Sequence, residues 1–476
     1  VKTAAKRLRK SDANVYRITY RYSRRKNIIY WQLKVTMKIA VVGAGISGLT
    51  AAYVLSPKHD VTVFEASHRL GGHTATKDVH FEGRDYAIDT GFIVFNDWTY
   101  PNFQKLLAQL DVDSKPTDMG FSVCCEKTGL EYSGTNLNTM FAQRSNIFSV
   151  KHWCMIRDIL RFNKEALPDV ESGGRYLEMT LGEYLQQKKY SKTFTDKYLI
   201  PMGAAIWSAS TNVMKSFSLQ FFVHFFRNHG LLSVSERPQW RVIDGGSRAY
   251  IEPLSQRFKD NIRLDSAIKS IKRNVDGVLI ETIHGLSESF DQVIIAAHSD
   301  QALAMLSDAS VEETKLLSAI PYQKNEVVLH TDISLLPKRR STWSSWNYRI
   351  ADQQTANDHA IHVGNSGDSD NPIKKILDDD LPVLTYDMNI LQSIESDTTF
   401  CVTLNKTDAI DPDKILCTYF YDHPVFSRDS VAAQEQWETI NGVNKTWFCG
   451  AYWANGFHED GVLSALRVAE KLGSSL

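Results

Sequence analysis

The chain has 476 residues, 43% of them hydrophobic, and a formal net charge of −1. That length exceeds one ordinary core and predicts two domains, while the near-neutral balance offers no global field that would select nucleic acid as partner. Six cysteines (Cys124, Cys125, Cys154, Cys401, Cys417 and Cys449) show neither a CxxC pair nor a metal-ligand spacing, so buried thiols in a reducing compartment are expected and no metal is.

The neutral total hides an asymmetry. Residues 1–36 carry Lys6, Arg7, Arg9, Lys10, Arg21, Arg24, Arg25 and Lys26 with only Asp12 opposing them. This stretch reads as an upstream extension, because a complete first strand follows Met37 at once. A nucleic-acid arm, a lipid-binding arm and an amphipathic targeting peptide are the alternatives. No segment approaches the ~18 apolar residues of a membrane span, and no apolar secretory signal opens the chain. A cytoplasmic protein is expected, with peripheral contact at the inner membrane left open.

Lys38-Ile-Ala-Val-Val42 is a short apolar run ending in glycines, as expected of a buried parallel strand. Gly43 to about Leu55 predicts a helix, and Val61–Glu65 a second strand with a terminal acid. Together they form a βαβ unit. From about 115 to 230 the pattern turns helical. Phe148–Lys164 sets Ile156, Ile159 and Leu160 against Lys151, Arg157, Asp158 and Arg161. Such a stripe is usually a solvated face; resting on anionic lipid is the alternative. Phe217–Phe226 is rich in phenylalanine (Phe217, Phe221, Phe222, Phe225, Phe226). Core packing is its expected role, an acyl-chain tunnel the alternative. Residues 242–300 return to the first texture: Val242–Ser247, a helix, a strand near Ile262–Leu264, a hairpin around Asn274–Gly277 and the apolar strand Val293–Ala297. Residues from about 305 to 435 mix strands and helices. Thr446–Leu472 closes the chain with a strand, a glycine turn and a helix.

The chemistry begins at Gly43-Ala44-Gly45-Ile46-Ser47-Gly48. Gly43 permits the turn out of the strand, Gly45 lets the backbone approach a pyrophosphate, and Gly48 lets helix and strand pack closely. The free N–H groups of the helix N-terminus then face the phosphates. A lone GxGxxG is weak evidence, but here Glu65 stands at the end of the second strand, placed to accept hydrogen bonds from a ribose diol.

Glu65-Ala66-Ser-His-Arg69-Leu-Gly71-Gly72-His73-Thr74 resembles the extended signature of glutathione-reductase-like FAD proteins, in the branch of amine oxidases and phytoene desaturases. Ser266-Ala-Ile268-Lys-Ser-Ile, Asp291–His298 and Trp447-Phe-Cys-Gly450-Ala-Tyr-Trp-Ala-Asn-Gly456-Phe-His-Glu-Asp-Gly461-Val462 resemble further pieces of that superfamily over most of residues 37–476. The resemblance implies an α/β plus α+β fold: a discontinuous Rossmann-like FAD-binding domain (37–114, 235–304 and 440–476) with an interleaved mixed-sheet and helical substrate domain (115–234 and 305–439). It implies non-covalent FAD held by Gly43, Ala44, Gly45, Ile46, Ser47, Gly48, Glu65, Ala66, Arg69, Gly72, His73, Thr74, Ile268, Gly450, Gly461 and Val462. The closing helix would point its N-terminus at the flavin, where reduced flavin carries negative charge.

Ile88–Asn96, Tyr386–Gln392, His423–Phe426 and Gly456–Gly461 resemble a bacterial subgroup of FAD/NAD-binding, amine-oxidase-like proteins. Its members commonly accompany methyltransferases similar to cyclopropane fatty acid synthase, and it includes the desaturase of the furan fatty acid pathway. That resemblance implies a methylated phospholipid acyl chain as substrate, oxidised to a diene with hydride passed to flavin N5. Amine oxidation is the runner-up and a non-catalytic flavin protein the third reading. Cys449 reads as a buried strand thiol and not a flavin attachment. Tyr452-Trp453 sits where an amine cage would, and could equally be packing. His458, Glu459 and Asp460 are the candidate acid–base groups, with helix capping an equal alternative for Asp460. His73 is a weaker candidate, and Asn389 reads as a polar residue of the substrate domain. The oligomeric state is open, with a dimer among the expectations.

Overall fold

Lys38–Val42 (β1) lies in the middle of a five-stranded, all-parallel sheet because it is apolar on both faces: Ile39, Ala40 and Val41 are fully buried. The computed structural model describes residues 17–22, 29–34, 36–351 and 381–476. Within the N-terminal extension, Arg17–Tyr22 pairs antiparallel with Ile29–Lys34. Lys6, Arg7, Arg9, Lys10, Arg24, Arg25 and Lys26 lie outside the described residues.

From β1 the chain enters α1 (Ile46–Leu55), which is buried along its whole length, and returns through β2 (Asp60–Phe64). The sheet order is Ile262–Arg263 (β3), β2, β1, Gln292–Ile295 (β4) and Thr446–Phe448 (β5). Three distant stretches of sequence therefore build one sheet. The closing helix α2 (His458–Lys471) packs on α1 so closely that a Cβ at Gly461 would lie 2.8 Å from Ile46 Cγ2 and 2.9 Å from Ser47 Oγ. Gly48 has the same kind of role, since a Cβ there would fall 1.9 Å from the Gly43 carbonyl oxygen.

The expected hairpin forms from Ile268–Arg273 and Val278–Thr282. A buried ion pair fixes it to the helix Val311–Ser318: Arg273 Nη1 and Nη2 donate to Glu313 Oε1 and Oε2 at 2.7 and 2.8 Å.

A second, seven-stranded sheet runs Leu130–Ser133, Phe121–Cys125, Trp346–Ile350, Val383–Asp387, Cys401–Leu404, Tyr322–His330 and Ile415–Pro424. It is antiparallel except where Phe121–Cys125 meets Trp346–Ile350. Helices cover its neighbourhood, among them Val150–Glu171 and Leu219–Asn228. The first runs past the expected end at Lys164. Phe217, Phe222, Phe225 and Phe226 are all buried in one core with Phe162, Phe194 and Trp207. Among the described residues no helix is long and apolar enough to cross a membrane.

Candidate functional site

A cavity of about 870 Å³ runs from the C-terminal edge of the parallel sheet toward the seven-stranded sheet and the helices. At one end it is walled by the turn Gly43–Ser47, by Glu65 and Ala66, by Gly71–His73, by Ser266–Ile268 and by Ala296–His298. Gly43 has φ +101°, and a Cβ there would meet the Ala296 carbonyl oxygen at 2.8 Å, so this turn requires glycine. At Gly45 a Cβ would meet no protein atom within 4 Å. It would project into the space a pyrophosphate would use. The α1 N-terminus opens on the same space with no side-chain cap on its first turn.

Glu65 sits where a ribose would, but it also organises the turn. Its Oε2 accepts from the Ala44 N–H at 2.7 Å and its Oε1 from the Ser67 N–H at 2.8 Å. Each oxygen keeps a lone pair for a diol. Ile268 lines the wall as expected. Arg69 does not. Its guanidinium folds back onto the loop, donating to the carbonyls of Gly72 at 2.8 Å and Thr74 at 3.0 Å. The expected cation near the phosphates staples the loop instead, because its guanidinium is taken up by the carbonyls of Leu70, Gly72 and Thr74.

The sequence makes His73 an FAD-holding residue and a weaker acid–base candidate. The structure places it at the centre of an aromatic cluster, with ring centroids 5.2 Å from Tyr421, 5.7 Å from His423 and 5.9 Å from His298. His73 Nε2 is buried and has no hydrogen-bond partner. Burial, then the neighbouring His423 and His298, holds its pKa well below the ordinary histidine value. His73 thus lines the cavity beside the glycine turn as a neutral ring. His298 and His423 each end or begin a stretch that carries a family resemblance, but neither stretch shows that the two side chains meet His73. They arrive from the ends of two different strands, and His298 is held by stacking on Tyr322 at 4.4 Å.

Of the three acid–base candidates on the closing turn, only His458 lines the cavity. Its ring stacks on Phe92 at 3.5 Å, and its Nε2 lies 3.0 Å from both Thr74 Oγ1 and Tyr250 Oη. Burial lowers its pKa to about 3, so it is neutral. Glu459 instead caps the helix Pro101–Gln109, accepting from the N–H groups of Asn102 at 3.1 Å and Phe103 at 2.9 Å. Asp460 accepts from the Phe457 N–H at 2.9 Å, the capping geometry its position suggests. Burial pushes its pKa up to about 7. Both carboxylates were candidates because of their flanking glycines, and both are used by backbone N–H groups.

Thr74, Gly48, Gly461 and Val462 also stand behind the wall: Thr74 holds His458, the glycines allow helix packing, and Val462 is in the core. Gly450 lines the cavity, as does Tyr452, whereas Trp453 does not. Cys449 is buried behind them, its thiol pushed up to about 12 by desolvation. Asn389 lies off the cavity and supports the Phe400 N–H and Thr398 carbonyl.

The other limb of the cavity is apolar and aromatic, lined by residues such as Phe121, Ile159, Met202, Ile206, Trp207 and Phe225. Phe225 is the member of the phenylalanine-rich helix that faces it; Phe222 is core. Among the described residues, the carboxylates along the cavity are Glu65 and Asp422, both outside this limb.

Residues 46–472 match the family model described as flavin containing amine oxidoreductase. The chain is 26% identical over 315 residues to the 15-cis-phytoene desaturase of Arabidopsis thaliana, covering 60% of this chain and 51% of that one. It therefore spans about half the length of the curated relatives it matches. Among solved structures, the conjugated-linoleic-acid-producing fatty acid isomerase from P. acnes superposes with a TM-score of 0.60 at 16% identity, over 92% of this chain and 98% of that one. Cyclohexylamine oxidase from Brevibacterium oxydans superposes with a TM-score of 0.61 at 15% identity, over 92% and 100%. At these identities the superpositions show the fold: an amine-oxidase-like arrangement of a Rossmann-like sheet with a mixed sheet and helices.

Proposed function

From the premise that the chain belongs to the flavin containing amine oxidoreductase family, and so is an FAD-dependent oxidoreductase, we propose that it desaturates a methylated fatty acyl chain of a phospholipid to a diene. The observation that carries this reading is the character of the second limb, mainly apolar and aromatic, with Arg237 at its mouth and no carboxylate to pair with an ammonium. A ligand cation in such a limb would be unpaired and costly, whereas CH₂ groups lose nothing there. The fatty acid isomerase and phytoene desaturase among the relatives act, by their names, on acyl and polyene chains.

The residues present fit FAD. Gly45 leaves the space for a pyrophosphate, and Glu65 and Ile268 flank the position of an adenosine. When bound, FAD supplies the two-electron acceptor. The limb around Ile206 and Phe225 aligns the acyl chain and excludes water. One C–H of the substrate gives up a hydride and a neighbouring C–H gives up a proton, leaving the new C=C. The hydride and the proton are together the two hydrogens that bound FAD would take up. His458, neutral with its pKa held near 3 and hydrogen-bonded to Thr74 and Tyr250, positions the closing turn at the cavity wall.

The test is anaerobic mixing of the FAD-loaded protein with vesicles containing methylated phospholipid, following flavin bleaching and new double bonds by mass spectrometry. One diene per flavin is expected. Bleaching by a soluble amine with no diene would replace this reading with amine oxidation. Bleaching by neither would leave a flavin protein without turnover on either class.

A further inference from the structure

The helix Val150–Glu171 buries one face against the phenylalanine-rich core and leaves the other bare. Its outward stripe Val150, Trp153, Arg157, Leu160 and Lys164 follows helical spacing and alternates apolar bodies with cations. The segment leading into it continues the same surface: Leu137 is 74% exposed, Phe148 88% and Val150 76%. Exposed side chains of that size, gathered on one face, are unusual for a surface that meets only water.

The pieces are contiguous. Trp153 Nε1 donates to the Ile147 carbonyl at 2.8 Å, and its ring lies 5.0 Å from Phe141. His152 Nε2 lies 3.1 Å from the Met140 carbonyl oxygen. From Leu137 to Lys164 the acidic residue is Asp158, and it is fully buried, accepting from the Ser191 N–H and pairing with Arg157. The exposed charges there are Arg144, Lys151, Arg157 and Lys164, all positive.

This face also borders the cavity. Thr135 and Met140, just before and after Leu137, line it, and so do Val234 and Arg237 from a facing exposed loop. Exposed wall residues from both loops mark this side as the mouth of the apolar limb.

We propose that residues 137–164, with the mouth between Met140 and Val234, form a docking face for an anionic phospholipid bilayer, through which an acyl chain reaches the apolar limb without crossing water. The proposal rests on the acyl-chain reading for its purpose, though not for its geometry. Phe148, Val150, Trp153 and Leu137 enter the headgroup boundary, while Arg144, Lys151 and Lys164 meet lipid phosphates. The combination selects the occupant. An apolar patch alone would suit a second copy of the chain, but the cations Arg144, Lys151 and Lys164 on each copy would then face each other.

The experiment is vesicle sedimentation of the FAD-loaded chain on 70:30 phosphatidylcholine:phosphatidylglycerol and on pure phosphatidylcholine. Binding to the mixed vesicles is expected, weaker on the neutral ones and weakened by salt. Phe148→Glu with Val150→Glu should lower partitioning at least ~10-fold, and Lys151→Glu with Lys164→Glu should lower it and flatten the salt dependence. Flavin content should be unchanged in both. Binding unaffected by either pair would overturn the proposal, as would absence of binding. A concentration-dependent dimer abolished by the first pair, without vesicle binding, would assign the face to a second copy instead. The two readings fail separately. Vesicle binding without acyl-driven flavin bleaching sinks the acyl reading and leaves the docking face. Bleaching by detergent-dispersed acyl chains without vesicle binding does the reverse.

Discussion

Thr74 Oγ1 and His458 Nε2 lie 3.0 Å apart although 384 residues separate them in the chain. Thr74 ends the loop that carries Gly71, Gly72 and His73, and His458 begins the closing helix. Tyr250 Oη joins the same contact from a third segment. One small polar knot therefore sets the relative position of the loop that faces the pyrophosphate space and the helix that closes the site.

Glu65→Ala should weaken FAD binding by about 1.5–3 kcal/mol, the range for hydrogen bonds to a charged group. The loss has two sources: the ribose contact and the Ala44 and Ser67 N–H groups that the carboxylate now orders. Titration of apoprotein with FAD, followed by flavin fluorescence, reads it. Unchanged affinity would remove Glu65 from the site.

Asp460 makes a pH prediction with a definite sign. Its folded pKa is raised to about 7 from the ordinary 3.8, so between these values the folded state holds a proton that the unfolded state has lost. Its contribution to stability therefore falls as pH rises through that window. Asp460→Asn keeps an oxygen for the Phe457 N–H and removes the titration. Relative to the parent, the variant should gain stability steadily from pH 4 to 7 and hold the gain above it. Denaturant midpoints at pH 5 and 8 that differ by the same amount in both proteins would contradict this.

His330 and His458 act in the opposite direction. Burial lowers their folded pKa values to about 4 and about 3, so below pH 6.5 the unfolded chain takes up protons the folded chain refuses. Stability should fall as pH drops from 6.5 toward 4. His330→Gln should blunt that fall, as measured by thermal unfolding across the range.

The Arg273–Glu313 pair is almost entirely excluded from water, at 2% and 1% exposure. Glu313→Gln leaves the guanidinium only Asp308, 2.8 Å from Nε and partly exposed, as counter-charge, and should cost about 2–3 kcal/mol, below the range for a wholly unpaired buried charge. The pair lies away from the cavity wall, so FAD affinity of the folded variant should match the parent. A loss of affinity without loss of stability would point to a functional coupling instead.

Phe222 and Phe225 stand three residues apart and should separate packing from lining. Phe222→Ala removes a fully buried ring and should cost about 3–5 kcal/mol in stability. Phe225→Leu, at the cavity wall, should change acyl turnover more than stability. Denaturant curves and diene formation, measured on both variants, check the contrast.

The parallel sheet was legible because its strands are buried on both faces and so are written as continuous apolar runs, such as Val41–Val42 and Ile294–Ile295. The glycine turn was legible because a tight turn and a close helix–strand approach each demand a residue without a side chain, as at Gly43 and Gly48. Side-chain direction was not. Arg69 and Glu459 have the residue types a site uses, yet backbone carbonyls and N–H groups a few ångströms away claim them. Nor could local sequence show that His73, His298 and His423 meet, since each comes from a different part of the chain. Phe222 and Phe225 share one helical face by spacing, and only the packing of neighbouring rings decides which one sees the cavity.

The order of strands across the parallel sheet has a consequence for synthesis. β1 pairs with β4, which pairs with β5, and α1 packs against α2, so segments made early and late are neighbours in the described fold. A ribosome that has released Gly43–Glu65 has made the nucleotide turn but not the helix that Gly461 seats upon it. For most of translation the nascent chain carries a half-built cofactor site, with Ile46 and the rest of α1 lacking their cover. A complete cofactor site therefore waits on the α2 segment, and until that segment has left the ribosome the glycine turn stands without its cover.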